Sequence, residues 1–269
     1  MTDRADDDGA APSGPTPKRD APTVAVCAPV YNEGASIRET VQSWANTLRS
    51  QDFSFEIVLC DDGSTDDTLG ALADLQEVPE LRLVVHRRNR GAGSSVRTAV
   101  AHSRAEWLIL IDSDGQLALD DALEMFSAVL DQGALAGIGF RRKKDRRLLV
   151  LGSRLTGWLA NRIYGSHLKD FNCALKVVDG NACRSMNLRT TRFNYSTEMT
   201  SRILLMGLPL IEFPVGHELR ASGQSSARVL RDGWARLMFL SYLRAERRLM
   251  RSGALDLGRT SEHSPHAGL

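Results

Sequence analysis

The chain has 269 residues, a length that fits one large domain or two small ones. Its 34 Lys and Arg nearly balance its 33 Asp and Glu, so no global positive field attracts nucleic acid, and we expect no nucleic-acid partner. Hydrophobic residues make up 42% of the chain, yet no apolar stretch approaches the roughly 20 residues of a membrane-spanning helix. The composition excludes polytopic membrane proteins, collagens and disordered chains.

Both ends of the chain are polar. Residues 1–22 lack the basic and apolar regions of a signal peptide and have little to pack, so they are predicted to be a disordered tail. Residues 252–269 are predicted to be a second disordered tail, which leaves one domain over residues 23–251. The four cysteines have no metal-ligand spacing, so we expect neither a zinc site nor a disulfide framework, and the protein is predicted to be cytosolic.

Short apolar runs alternate with helical periods from Thr23 onward. The runs predicted to be strands buried on both faces are 24–28, 55–60, 81–85 and 107–111, and a further strand is predicted at 136–140. The stretches with helical spacing are 36–50, 66–76, 94–104 and 118–132. This alternation predicts an α/β fold with a mostly parallel central sheet flanked by helices.

The second half of the chain is less regular. A basic run at 141–147 leads into a helical stretch to about Tyr164, followed by an apolar run at 171–178, a helix near 197–206, a strand near 210–215 and a last helix near 229–251. In the last helix apolar residues recur at helical spacing while arginines populate the other faces. Such a basic amphipathic helix either lies on an anionic membrane surface or packs its apolar stripe on the domain.

Polar loops follow each of the first four predicted strands. These loops are 29–33 (PVYNE), 61–66 (DDGSTD), 89–94 (NRGAGS) and 112–116 (DSDGQ). Because ligands of open α/β sheets bind beyond the carboxyl ends of the strands, all four loops are predicted to share one rim. Each loop taken singly could be a helix cap or a plain turn, but neither explains why so many carboxylates crowd at one edge.

Crowded carboxylates repel one another unless a cation neutralises them. Asp112 and Asp114 are one residue apart, so both can face a divalent metal that keeps positions open for phosphate oxygens, as Mg²⁺ sites usually do. An EF-hand loop is excluded because Gly115 is fourth rather than sixth, and neither a dinucleotide fingerprint nor a P-loop is present.

The ordered series of motifs resembles the family 2 inverting glycosyltransferases with the GT-A fold. Four downstream segments resemble the branch typified by dolichol-phosphate mannosyltransferase: 139–141 (GFR), 170–176 (DFNCALK), 194–198 (NYSTE) and 214–225 (PVGHELRASGQS). The resemblance covers about residues 23–240. It implies transfer of a sugar from a GDP- or UDP-linked donor to a polyprenyl or dolichyl phosphate.

The resemblance also implies roles for individual residues. The donor-binding positions would be Pro29, Tyr31, Glu33, Asp61, Asp62, Gly91, Ser113, Gln116 and Ser225. A Mg²⁺ or Mn²⁺ ion on the donor diphosphate would be held by Asp112, Asp114 and Gln116. The catalytic set would be Asp112, Asp114, Arg141, Lys176, Glu198 and Arg220, of which the three basic residues would meet the donor diphosphate and the acceptor phosphate.

Two positions depart from the family pattern. Residue 113 is Ser where Ala is common, and Ser226 and Ala227 stand where some relatives have a Lys, so one basic phosphate contact is either missing or supplied by Arg228.

An acceptor phosphate is already anionic near neutral pH, whereas an alcohol acceptor needs a general base, for which Asp170 or Glu198 are the candidates. One alternative is therefore a glycosyltransferase that acts on a hydroxyl. Two further alternatives are a non-catalytic nucleotide-sugar-binding subunit and a nucleotidyltransferase. For the lipid-phosphate acceptor, the expected location is the cytoplasm, peripheral on the cytosolic face of a membrane.

Overall fold

The computed structural model describes residues 21–75, 78–142, 147–192, 194–216 and 229–253. The strands in these ranges are β1 (Val24–Val30), β2 (Phe55–Asp61), β3 (Leu81–Val85), β4 (Trp107–Leu110), β5 (Ala136–Arg141), β6 (Lys176–Asp179) and β7 (Leu210–Val215). The helices are α1 (Ile37–Arg49), α2 (Thr68–Ala73), α3 (Ala92–His102), α4 (Leu119–Asp131), α5 (Arg147–Tyr164), α6 (Gly180–Ser185), α7 (Tyr195–Met206) and α8 (Val229–Arg251). The predicted tails lie almost wholly outside the described residues, as does most of the basic run after Arg141.

The strands form one sheet in the order β3-β2-β1-β4-β6-β5-β7. β1 pairs in parallel with β2 and β4, β2 with β3, and β5 with β7, whereas β6 is antiparallel to both of its neighbours. The prediction of a mostly parallel sheet flanked by helices is confirmed. Two features were not predicted: the antiparallel direction of β6 and the short helix α6 that follows it.

β1 shows why the first strands are continuous apolar runs. Val24, Val26 and Ala28 belong to a core that also contains residues of α1, α2 and α4 on one face of the sheet. Ala25 and Cys27 belong to the core on the other face, with residues of α3, α6 and α7. A strand covered by helices on both faces buries every side chain, so polar alternation is absent.

The antiparallel strand β6 determines where the site can form. It begins at Lys176, which pairs with Leu110 at the end of β4 and with Ile138 in β5. Because β6 runs against its neighbours, its first residue lies at the same edge as the carboxyl ends of β1 to β5. The segment leading into it, from Asp170, is therefore brought to that edge as well.

The helices α5 and α8 pack against each other and enclose a third, smaller core that includes Ala160, Tyr164, Phe171 and Leu243. Leu243 is fully buried there, so at this point α8 packs its apolar side on the domain, as one of the two alternatives for this helix predicts. No helix in the part of the chain that the structure describes combines the length and the apolar character needed to cross a membrane.

Candidate active site

The loops after β1 and β2 are fastened to each other at the carboxyl edge. Asn32, whose φ is 55°, donates its N–H to the Ser64 hydroxyl at 2.9 Å, and its side-chain oxygen accepts from the N–H of Thr65 at 2.8 Å. The N–H of Glu33 donates to the Thr68 hydroxyl at 2.9 Å. Tyr31 lies on this interlocked rim with 39% of its surface exposed, which leaves its ring available to a ligand.

Asp61 and Asp62 are buried and bind loop backbone. Asp61 accepts hydrogen bonds from the N–H groups of Gly63 and Ser64 at 3.0 and 3.1 Å, and from the Ser64 hydroxyl. Asp62 accepts from the N–H groups of Arg90 and Gly91 at 2.9 and 2.6 Å. These two carboxylates therefore fix the shape of the loop after β2 and join it to the loop that precedes α3.

His86 is a residue of this rim that the sequence analysis missed. Its Nδ1 lies 2.9 Å from the Asp62 carboxylate and its Nε2 lies 3.0 Å from the Thr98 hydroxyl. The imidazole is buried and contacts the same Asp62 oxygen as the Arg90 N–H, so it helps to fix the orientation of Asp62. The sequence showed only that a histidine directly follows the predicted strand 81–85, which does not indicate its partners.

Gly91 and Gly93 allow a close approach between the start of α3 and residues 190–192. Gly91 has a φ of 93°, and a Cβ atom there would collide with the Thr191 carbonyl oxygen. A Cβ at Gly93 would lie 2.5 Å from the Thr190 carbonyl oxygen. Larger residues would push the segment 190–192 away from the first turn of α3.

The loop after β4 carries the two closely spaced acidic residues. Asp112 and Asp114 are both partly exposed. Ser113 is buried and donates its hydroxyl to the Pro29 carbonyl at 2.8 Å, which ties this loop to β1. Asp114 accepts from the N–H of Gln116 at 3.2 Å around a turn at Gly115, whose φ is 71°.

Tyr195, at the start of α7, donates its buried hydroxyl to the Asp112 carboxylate at 2.6 Å. Burial and the neighbouring Asp114 raise the pKa of Asp112 to about 6, and this hydrogen bond opposes the shift. Tyr195 therefore orients Asp112, a function that the sequence analysis missed. The motif 194–198 marked its position but not its partner, which lies 83 residues away.

The donor set suits a hard divalent cation. Asp112 and Asp114 are carboxylates whose mutual repulsion such a cation would relieve. Within the described ranges no three His, Cys, Asp or Glu side chains come together as a metal-binding group. Two carboxylates are oxygen ligands of the kind that an ion of the Mg²⁺ or Mn²⁺ type takes, and Mg²⁺ usually adds water and substrate phosphates as further ligands.

Two cations stand beside this acidic pair. Arg141 forms a two-pronged contact with the buried Asp170, at 2.8 Å from Nε and 3.3 Å from Nη2. Lys176 is fully buried and donates to the Cys173 carbonyl at 2.5 Å. Burial lowers the pKa of Lys176 to about 8, while the negative charges of Asp170 and Asp112 act in the opposite direction. Lys176 is thus mostly protonated at neutral pH.

The remaining predicted residues lie elsewhere. Glu198 is fully buried in the first turn of α7 and accepts hydrogen bonds from the N–H groups of Arg189 and Thr190, away from Asp112. Arg220 and Ser225 fall outside the described residues. The structure therefore brings together Asp112, Asp114, Arg141 and Lys176, whereas the Glu198 carboxylate binds residues 189, 190 and 202.

A mostly parallel sheet with an acidic pair after its central strand defines the GT-A class of α/β folds, and the comparisons with known proteins agree. Residues 25–190, more than half of the chain, match the model of the family "Glycosyl transferase family 2". The chain belongs to that family.

Two relatives in the family have lipid phosphates in their names. The chain is 28% identical over 205 residues to an undecaprenyl-phosphate 4-deoxy-4-formamido-L-arabinose transferase of Edwardsiella ictaluri, covering 75% of this chain and 62% of that protein. It is 25% identical to a dolichyl-phosphate beta-glucosyltransferase of Trichomonas vaginalis, covering 72% and 67%. The chain spans less than two thirds of the length of the first of these relatives.

Solved structures share the fold at low sequence identity. Glucosyl-3-phosphoglycerate synthase from Mycobacterium tuberculosis in complex with uridine-diphosphate superposes with a TM-score of 0.64 at 17% identity, over 87% of this chain and 82% of that one. A mannosyltransferase from Pyrobaculum calidifontis in complex with GDP-Man and Mn²⁺ gives a TM-score of 0.57 at 20% identity, over 84% and 65%. These likenesses confirm the GT-A fold.

Replacing Asp112 by Asn should stabilise the metal-free protein. Because the pKa of Asp112 is higher in the folded state than the ordinary value, its protonation contributes stability below about pH 4, and this contribution is lost as pH rises through about 6. We expect Asp112→Asn in EDTA to raise the free energy of unfolding by about 1–3 kcal/mol at pH 7.5 and by less at pH 5. Urea titration at the two pH values measures this.

Asp52→Asn is the matched control, since Asp52 is exposed and should give the same small effect at both pH values. A loss of stability in Asp112→Asn, or an equal gain in the free energy of unfolding at both pH values, would show that the ionised Asp112 carboxylate does not destabilise the fold.

Proposed function

We propose that this chain is a metal-dependent inverting glycosyltransferase that moves a sugar from a nucleotide donor to a polyprenyl phosphate. One observation carries the proposal: the acidic pair Asp112 and Asp114 stands beside the cations Arg141 and Lys176 at one rim. An acidic pair suits the cation that accompanies a diphosphate, and two basic residues suit a second anionic substrate. The lipid phosphates in the names of the relatives support the same acceptor class.

The donor is assigned to the interlocked loops after β1, β2 and β4. Tyr31 offers an exposed ring, and Asp61 and Asp62 hold the loop backbone in place before the nucleoside arrives. Asp112 and Asp114, with Gln116 beside them, would hold Mg²⁺ or Mn²⁺ on the diphosphate. The bound ion would neutralise charge that develops on the leaving nucleoside diphosphate. Rigid loops of this kind reduce the entropy lost on binding.

The surroundings of the two candidate bases favour a phosphate acceptor. Asp170 accepts from Arg141 and from the Asn172 N–H, and Glu198 accepts from two backbone N–H groups and the Thr190 hydroxyl. Both carboxylates are thus already engaged as hydrogen-bond acceptors. An acceptor phosphate needs no base, because it reacts as an anion.

The reaction then needs no proton transfer. An oxygen of the acceptor phosphate attacks the anomeric carbon as the bond from that carbon to the nucleoside diphosphate breaks, and the electron pair leaves with the diphosphate. Arg141, which is partly exposed, would bind the acceptor phosphate, and the charge of the buried Lys176 would help to offset the repulsion between the two anions. Attack from the face opposite the leaving group inverts the anomeric centre.

A donor and acceptor screen tests this function. Nucleoside diphosphate release from UDP- and GDP-sugars in Mn²⁺ should require undecaprenyl phosphate and should not occur with undecaprenol, which lacks the phosphate. Asp114→Asn should lower the rate at least a hundredfold because it removes a charge from the metal site. Asp131→Asn, an exposed carboxylate at the end of α4, is the matched control and should retain activity.

Equal release with a sugar alcohol or with undecaprenol would overturn the phosphate acceptor. Full activity of wild type in excess EDTA would overturn the metal.

We further propose that the chain works peripherally at the cytosolic face of a membrane, where its lipid substrate lies. Leu155 and Trp158, on α5, are 53% and 59% exposed, and Arg162 is exposed one turn further along the same face. Met238, on the adjoining helix α8, is 59% exposed. An apolar patch flanked by arginine is complementary to an anionic bilayer surface.

The double substitution Leu155→Ser with Trp158→Ser should weaken binding to anionic vesicles. Loss of two inserted apolar side chains predicts a reduction of about tenfold or more in sedimentation with phosphatidylglycerol vesicles. The matched control is Leu130→Ser on α4, which removes a 49% exposed leucine outside the patch and should leave binding unchanged. Equal binding by the double variant and wild type would place the membrane contact elsewhere.

A further inference from the structure

An array of three buried ionised side chains joins α7 to α8. Arg202 donates to Glu246 at 2.9 Å and to Glu198 at 3.4 Å, and the three residues are 1%, 3% and 0% exposed. The Nε of Arg202 and one carboxylate oxygen of Glu246 have no hydrogen-bond partner within the described residues. Because buried ion pairs are often no more stabilising than apolar residues of the same size, stability alone does not account for this array.

Glu198 connects the array to the chain segment before α7. Its carboxylate accepts from the N–H of Arg189 at 2.9 Å, from the N–H of Thr190 at 2.8 Å and from the Thr190 hydroxyl at 2.7 Å. Charge-assisted hydrogen bonds of this kind are stronger than neutral ones. Arg202, which lies one helical turn along α7, holds the same carboxylate from behind.

The segment that Glu198 holds lies against the first turn of α3. The Leu188 carbonyl accepts from Arg97 at 3.0 Å, and the Thr191 carbonyl accepts from the N–H of Ser94 at 3.3 Å. The contact is close enough that Gly91 has no room for a Cβ atom. The N–H of Gly91 is in turn bound by Asp62, on the rim assigned to the donor.

We infer that Glu198 is a positioning residue that holds the segment 188–192 against the start of α3, and that Arg202 and Glu246 make its placement depend on α8. Through this chain of contacts the last helix helps to shape the donor rim, although it lies behind it. The effect on the donor rests on the proposed function. The tether itself does not, because it is a property of the fold.

The test combines hydrogen exchange with donor binding in the full chain. Glu198→Gln keeps the side-chain size and removes the charge. Amide exchange at residues 189–190 and at Ser94 should become about tenfold faster. Binding of UDP or GDP with Mn²⁺ should weaken about fivefold by calorimetry.

Glu246→Gln, on α8, should give the same pattern with a smaller amplitude, and it serves as the second variant if Glu198→Gln fails to fold. Glu124→Gln, an exposed carboxylate on α4, is the matched control. Unchanged exchange at 189–190 and Ser94 in the charge-removing variants, or an equal acceleration across all of the chain, would overturn the tether. Faster exchange at these amides with unchanged nucleotide affinity would overturn its link to the donor. Absence of any nucleotide binding by wild type would instead refute the proposed function and leave the tether standing.

Discussion

Asp112 occupies a place where ionisation is unfavourable, because its carboxyl group is partly buried and Asp114 lies beside it. The pKa of about 6 expresses that unfavourable environment. Lys176 lies at the same edge, and burial lowers its pKa to about 8. A carboxylate and an ammonium group are thus both held where burial disfavours their charged forms. Groups with perturbed pKa values are typical of sites where a bound ion or ionic substrate offsets the cost of their burial.

Several carboxylates around this charged centre accept hydrogen bonds from loop backbone. Asp61 and Asp62 hold the loops after β2 and β3, and Ser113 ties the loop after β4 to Pro29. Glu198 serves the same purpose further from the edge. Besides these loop-binding carboxylates the rim carries Asp112 and Asp114, for which we propose a bound cation.

Much of the fold follows from the sequence, because a strand buried on both faces is a continuous apolar run. The strands β1 to β5 lie within two residues of their predicted ends, and the position of the acidic pair after β4 needed only the rule that ligands bind at carboxyl ends. The short strand β6 was not predicted as antiparallel, because strand direction depends on pairing between distant segments.

Contacts across long stretches of chain were equally beyond the sequence. Tyr195 reaches Asp112 across 83 residues, and Arg202 reaches Glu246 across 44. The motif 194–198 predicted that this segment belongs to the site. In the structure, Tyr195 orients Asp112, and Glu198 holds the backbone of residues 189 and 190. The sequence could not assign these two functions, because they depend on which distant residues α7 contacts once the chain is folded.

We propose that a metal-bound nucleoside diphosphate binds at one edge of the sheet and faces an anionic acceptor there. This edge is formed by Asp112, Asp114, Arg141 and Lys176. A crystal structure of the chain with Mn²⁺ and the nucleoside diphosphate that it binds, located by the anomalous signal of manganese, tests this most directly. We expect the manganese ion to lie about 2.0–2.3 Å from a carboxylate oxygen of Asp112 or Asp114 and from oxygens of the diphosphate. A nucleotide bound elsewhere on the chain, or at this edge with the ion contacting neither carboxylate, would contradict it.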